Sequence, residues 1–209
     1  MMEIKGFYLL EKKIPSGTGN LVKSWMEMDP VQTRIRRPRQ SKLGDFRPAH
    51  NGVSSQITIN SNLHSVEFLI TLAHEFAHAE NFRVHGRKVK PHGIEWKSFF
   101  RGKLSEIITS ELLDKKFENA IINCYFKRER IASSSCLVLR KLYDEEEGIL
   151  PAMRLEDIPV GSIFKTSTGR MLKKGNKIRT RYKCWDIRTK RYYTVNPMAE
   201  IVEFKSQEL

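Results

Sequence analysis

The stretch His74-Glu75-Phe76-Ala77-His78 carries the residue types and the spacing of a metal-assisted hydrolytic site. On a helix, positions i and i+4 share a face, so the two imidazoles can reach one metal ion. Glu75 projects from the flank of that face, where a carboxylate can work on a water molecule without being a ligand. The plainer reading is two ordinary histidines on a helix. The context argues for a site, because the pattern falls mid-helix with apolar residues opposite and with small Ala73 and Ala77 beside the two histidines.

Catalytic zinc takes three protein ligands and keeps one position open, so a third ligand is required. His85, His92, Glu95 and Glu106 are the downstream candidates. The compact metzincin spacing would need Gly at position 81 and His at position 84, where this chain has Asn81 and Val84. Glu95 and Glu106 fall within a helical pattern, where a solvated glutamate is the default. His92 is better placed. Pro91 stiffens its approach, and Gly93 permits the tight turn that would bring it back against the first helix.

These residues need elements to hold them. From Ser65 to Arg83 the pattern is helical, and a wheel sets Leu69, Leu72, Phe76 and Ala79 on one side and Ile70, His74 and His78 on the other. A second helix is expected from about Ile94, with Trp96, Phe99, Phe100, Leu104 and Ile107 recurring at helical spacing as core residues. Upstream, two short helical patterns flank Pro15-Ser16-Gly17, and the second ends at Asp29-Pro30. Val31–Arg37 and Ile57–Asn60 read as strands of a small antiparallel sheet. The segment 105–135 continues as helix or loop. The acidic run Asp144–Glu147, followed by Gly148 and Pro151, reads as a solvated linker. Beyond it, glycines punctuate short β-prone runs such as Arg181–Trp185 and Arg191–Val195. The expected organisation is α+β: a catalytic domain over 1–145, a linker over 146–152 and a small basic β module over 153–209.

A formal net charge of +13 in 209 residues describes partners, since such a surface attracts polyanions. An apolar fraction of 40% with 29% charged residues is that of a soluble chain, and no apolar run is long enough to span a bilayer. The N-terminus has no secretory pattern. Three cysteines, Cys124, Cys136 and Cys184, include no CxxC pair, so neither a disulfide framework nor a four-cysteine zinc ribbon is expected, and a cytoplasmic location fits best.

Taken together, HEFAH from His74 and the later Pro91-His92-Gly93-Ile94-Glu95-Trp96 resemble the SprT-like zinc metalloproteases. Ser41–Pro48 and Ile57–Asn60 look like that family's sheet before the catalytic helix, so the resemblance covers roughly residues 20–105. It implies a zincin-like catalytic domain and one zinc ion per chain on His74, His78 and His92. It also implies Glu75 as general base and a protein substrate, in the best understood members one bound or crosslinked to DNA. The chain departs from the family after residue 150, where Cys184 alone stands in place of the paired cysteines of a zinc ribbon. A non-catalytic zinc-containing protein acting at nucleic acid or the transcription machinery is the competing expectation. Glu75 argues against it, because a structural zinc site closes with a fourth ligand.

Nucleic acid is the expected second partner. Arg34, Arg36, Arg37, Arg39 and Lys42 lie beside the expected cleft with few acids among them. Lys173, Lys174, Arg179, Arg181 and Lys183 interleave with Tyr182 and Trp185 in the C-terminal module, and Tyr192 and Tyr193 follow. As oxyanion donor, Arg47, His50 and Tyr125 stand as equal candidates.

Overall fold

A computed structural model describes residues 7–39, 41–127, 136–148 and 153–205. The chain is α+β and divides into two compact units, Met1–Tyr143 and Asp144–Leu209.

The first unit begins with α1 (Phe7–Glu11) and α2 (Gly19–Met28). Val22, Trp25 and Met26, spaced three and four apart, form the buried stripe of α2, and Asp29 closes the helix with its N–H on the Trp25 carbonyl. Three strands follow: β1 (Gln32–Arg36), β2 (Gly44–Arg47) and β3 (Gln56–Asn60). The sheet order is β1-β3-β2, with β2 antiparallel to β3 but β1 parallel to it. The sheet is therefore mixed, which corrects the expectation of an antiparallel one. The connection from β1 to β2 crosses the end of β3, and hydrogen bonds hold it there. Arg39 donates to Asn60 Oδ1 and to Thr58 Oγ1, and Asn60 Nδ2 donates to the carbonyls of Arg39 and Lys42. The side chains of β1 alternate with period two, its arginines outward.

Central to the unit is α3 (Ser65–His85), packed against β2, β3 and α4 (Ile94–Thr109). A single apolar stripe was expected here. The helix is instead buried nearly all round, with Leu69, Leu72 and Phe76 on one side and Ile70, Ala73 and Ala77 on others. The sheet covers one flank, α4 another, and Trp25 of α2 meets Phe76 on a third. A buried ion pair, Lys103 Nζ to Glu80 Oε2 at 2.9 Å, ties α4 to α3. The chain then runs through α5 (Lys115–Ile121), a π-helical turn (Ile122–Phe126) and α6 (Leu137–Glu146), which carries Leu139 and Tyr143 into the same core.

Two expectations change in this region. Asp144–Glu146 complete α6 rather than a linker: Glu145 and Glu146 form the exposed face of its last turn, and the chain leaves only at Gly148, which takes a left-handed φ of 64°. Residues 149–152 of the expected linker lie outside the described residues. In addition, Cys124 and Cys136 form a disulfide with Cα atoms 5.9 Å apart, although no disulfide was expected. Cys124 lies in the π-helical turn and Cys136 directly before α6, a juxtaposition that sequence spacing does not reveal. Cys184 is free and buried.

The second unit is a five-stranded antiparallel sheet of β4 (Ile163–Thr166), β5 (Met171–Ile178), β6 (Arg181–Asp186), β7 (Arg191–Val195) and β8 (Ile201–Lys205) in the order β7-β6-β5-β4-β8. Leu155, Ile158, Phe164, Leu172, Tyr182, Cys184 and Ile201 form its core. Among the described residues no helix is long and apolar enough to cross a membrane.

Candidate metal centre

One turn of α3 separates His74 from His78, and His92 reaches the same point from the loop before α4. The three Nε2 atoms lie 3.1–3.2 Å from one another. With imidazole–metal bonds of ~2.0–2.1 Å, a triangle of that edge subtends about 100° at the ion, the angle of three corners of a tetrahedron. The three histidines are therefore close enough to hold a metal ion, and the fourth corner points away from them. Burial, followed by the neighbouring histidines, pushes His74 down to about 3; the same two influences push His78 down to about 4. Burial also lowers His92. All three rings are thus neutral near pH 7, the form that offers a lone pair to a cation.

The turn that delivers His92 is built differently from its sequence-based reading. His92 itself takes the left-handed conformation, with φ 58°, and the Gly93 N–H bonds back to the Lys90 carbonyl at 2.9 Å. Gly93 is needed for space, since a Cβ there would sit 2.9 Å from that carbonyl oxygen. A non-glycine residue held at positive φ carries a cost that persists where the surroundings over-determine it.

Trp96 supplies much of that determination. Its ring centroid lies 4.5 Å from His92, 4.6 Å from His74 and 5.1 Å from His78, and it stacks on Phe100 at 5.0 Å. Sequence reasoning treated Trp96 and Phe100 as core only. Trp96 is core, at 1% exposure, and it is also the common support of all three imidazoles. Its place three residues after Gly93, in the first turn of the helix that follows His92, was the signal available in the sequence.

Glu75 is 5% exposed and turns toward the β2 edge of the sheet. Burial is the largest influence on its carboxyl and, with the charge of Asp45, pushes it up to about 8. The Phe46 N–H, which donates to it, and the cations Arg39 and Lys42 act in the opposite sense. Gly44 makes this fit possible and was not singled out from sequence.

The remaining candidates separate clearly. Glu106 accepts the Trp25 indole N–H at 2.6 Å, and His85 packs on Phe99, so both are structural. Glu95 is not in the cluster. Among the oxyanion candidates, Arg47 is exposed and paired with Asp45, and His50 sits in an exposed turn bridged to Val53. Tyr125 is buried against Phe100, one ring removed from the histidines. Of the cations near β1, Arg39 is committed to Asn60 and Thr58 and Lys42 to Asp45 at 2.7 Å, whereas Arg34, Arg36 and Arg37 are exposed. In the second unit Arg179, Arg181 and Lys183 are exposed and Lys173 partly so. Lys174 cannot serve as a surface contact. The alternation of β5 turns it inward, where its Nζ donates to the Ile158 carbonyl at 2.7 Å and burial lowers its pKa.

No family model, no curated protein and no solved structure matches the chain.

Proposed function

We propose that the chain is a zinc-dependent metallopeptidase of the SprT-like, zincin-like kind, holding one zinc ion on His74, His78 and His92. The observation that carries this reading is the triangle of three imidazoles with a buried carboxyl group next in sequence to one of them. Its donor set suits zinc, which takes imidazole nitrogen readily and accepts a tetrahedral geometry without electronic preference. Among the described residues no fourth side chain joins the cluster, which favours an open catalytic site over a closed structural one.

The chemistry zinc supplies when bound is Lewis acidity, which brings the pKa of a coordinated water towards ~7 and polarises a carbonyl. Glu75 moves the proton. Its buried carboxyl is protonated near neutral pH when no cation is close, and a dication beside it favours the ionised form that accepts a proton from the attacking water. The same carboxyl then donates that proton to the leaving amine, so the peptide C–N bond breaks with charge balanced. The N–H of Phe46 orients the carboxyl throughout. Trp96 keeps the three rings in one arrangement and excludes water from their inner side.

The test is cleavage of an unstructured protein, read by mass spectrometry of the products, by chain stripped of metal and then reloaded with zinc. Cleavage should vanish on stripping and return with one equivalent of zinc. A fully loaded chain that cuts nothing, or cleavage indifferent to chelation, would overturn the proposal.

A further inference from the structure

The second unit presents a surface that the metal centre leaves unexplained. Between Met171 and Val195 the chain carries nine lysines and arginines and one carboxylate, Asp186. That carboxylate is buried and accepts the N–H groups of Arg188 and Thr189. Alternation sends Tyr182, Cys184 and Asp186 of β6 inward and leaves Arg181, Lys183 and Trp185 on the outer face. Register then builds a row across three strands. Lys173 of β5 is opposite Trp185, and Trp185 is opposite Tyr192 of β7. Directly opposed residues share a face.

The two rings touch at 4.7 Å between centroids, inclined by 61°. Tyr192 is 61% exposed, and the Lys183 ammonium lies 4.1 Å above its ring. A flexible, exposed cation is a cover that a ligand can displace. Tyr182 and Tyr193, the other aromatics of this stretch, belong to or pack against the core. The outer face thus combines the exposed Tyr192 ring and the partly exposed Trp185 with exposed cations on either side of them.

We propose that this outer face of β5, β6 and β7 binds single-stranded nucleic acid, with bases stacked on Tyr192 and Trp185 and phosphates on Lys173, Lys183 and Arg181. The cations call for a polyanion and the rings for planar, unpaired groups spaced along it. Single-stranded nucleic acid supplies both, while a duplex hides its bases from such rings. The inference stands apart from the metal centre, because its test reads binding and not cleavage.

The experiment uses the full chain and a fluorescein-labelled oligothymidylate of about 15 nucleotides, within the range of small β-sheet binding units, with anisotropy read across a salt series. Tyr192→Leu, at an exposed position that does not endanger folding, should weaken binding between about fivefold and a hundredfold, the range of one lost stacking contact. Tyr192→Phe keeps the ring and should bind as wild type. Lys183→Gln should flatten the slope of log K against log salt by about 0.7. Binding should also quench the fluorescence of Trp185, the partly exposed tryptophan, and Trp185→Phe should abolish that quenching while retaining affinity. The proposal is overturned if Tyr192→Leu binds as wild type. It is equally overturned if duplex DNA or polyglutamate binds as tightly as the oligothymidylate, which would leave only a general anion patch.

Discussion

Glu75 and Gly44 are packed so closely that a Cβ on residue 44 would lie 2.5 Å from the Glu75 Oε1 and 2.8 Å from its Cγ. The missing side chain of one residue is thus the space occupied by the carboxyl of the other, and β2 holds Glu75 by contact as well as by the Phe46 N–H. Gly44→Ala should cost about 1–3 kcal/mol of stability, as overpacking does. Because a displaced catalytic group can lose about a hundredfold in rate, the variant should also lose most of its hydrolysis while keeping its zinc. Thermal melting, zinc analysis and turnover on one preparation check this, and an unchanged turnover would separate Gly44 from the positioning of Glu75.

His92 completes the nitrogen triangle, whereas His85 packs on Phe99. His92→Ala should abolish stoichiometric zinc binding, and His85→Ala should leave it intact. Zinc content after dialysis against a weak chelator reads both. Retention of one zinc by His92→Ala would move the third ligand elsewhere.

Lys103, 2% exposed, meets Glu80 at 2.9 Å inside the α3–α4 contact. Removing Lys103 leaves the partly buried Glu80 with only its longer contact to Arg83, at 3.6 Å, so the cost falls below the ~3–5 kcal/mol of a fully buried pair. Lys103→Met should therefore lower the denaturation midpoint, and replacing Glu80 by Gln in the same chain should recover part of the loss. Equal stability of wild type and Lys103→Met would show that water and Arg83 satisfy Glu80 without Lys103.

The metal-free protein should be acid-labile in the histidine range. Burial lowers His74 to about 3 and His78 to about 4 from the ordinary 6.5, so below pH 6.5 the unfolded chain binds protons that the folded chain refuses. Stability from these groups is present above pH 6.5 and falls as the pH drops towards 4. Thermal midpoints of stripped protein between pH 7 and 4 should show this fall, and His74→Gln should blunt it. A flat profile over that window would mean that the rings are solvated.

Much of the first unit was legible because its signals are local. The spacing of His74 and His78 follows from one helical turn, α2 ends at Asp29 as the Asp29-Pro30 pair signals, and α4 begins directly after Gly93. The parallel pairing of β1 with β3 was not legible, since it depends on a loop clamped by Arg39 and Asn60 across 21 residues. The same long-range contacts remove Arg39 from the surface, and β5 alternation removes Lys174, although composition alone grouped both with exposed cations. The role of Gly44 was hidden for the same reason: its meaning comes from a carboxyl 31 positions away in the chain. The Cys124–Cys136 bridge joins a π-helical turn to the start of α6, and three cysteines without a paired motif give no sign of it.

The most direct test of the central claim is turnover by zinc-loaded Glu75→Gln. The amide keeps the shape and hydrogen-bonding reach of the carboxyl but cannot accept the proton of water. One zinc per chain should remain bound, while hydrolysis of an unfolded protein falls by about 10²–10⁴, the usual contribution of a general base. Hydrolysis at the wild-type rate by the zinc-loaded variant would contradict the account.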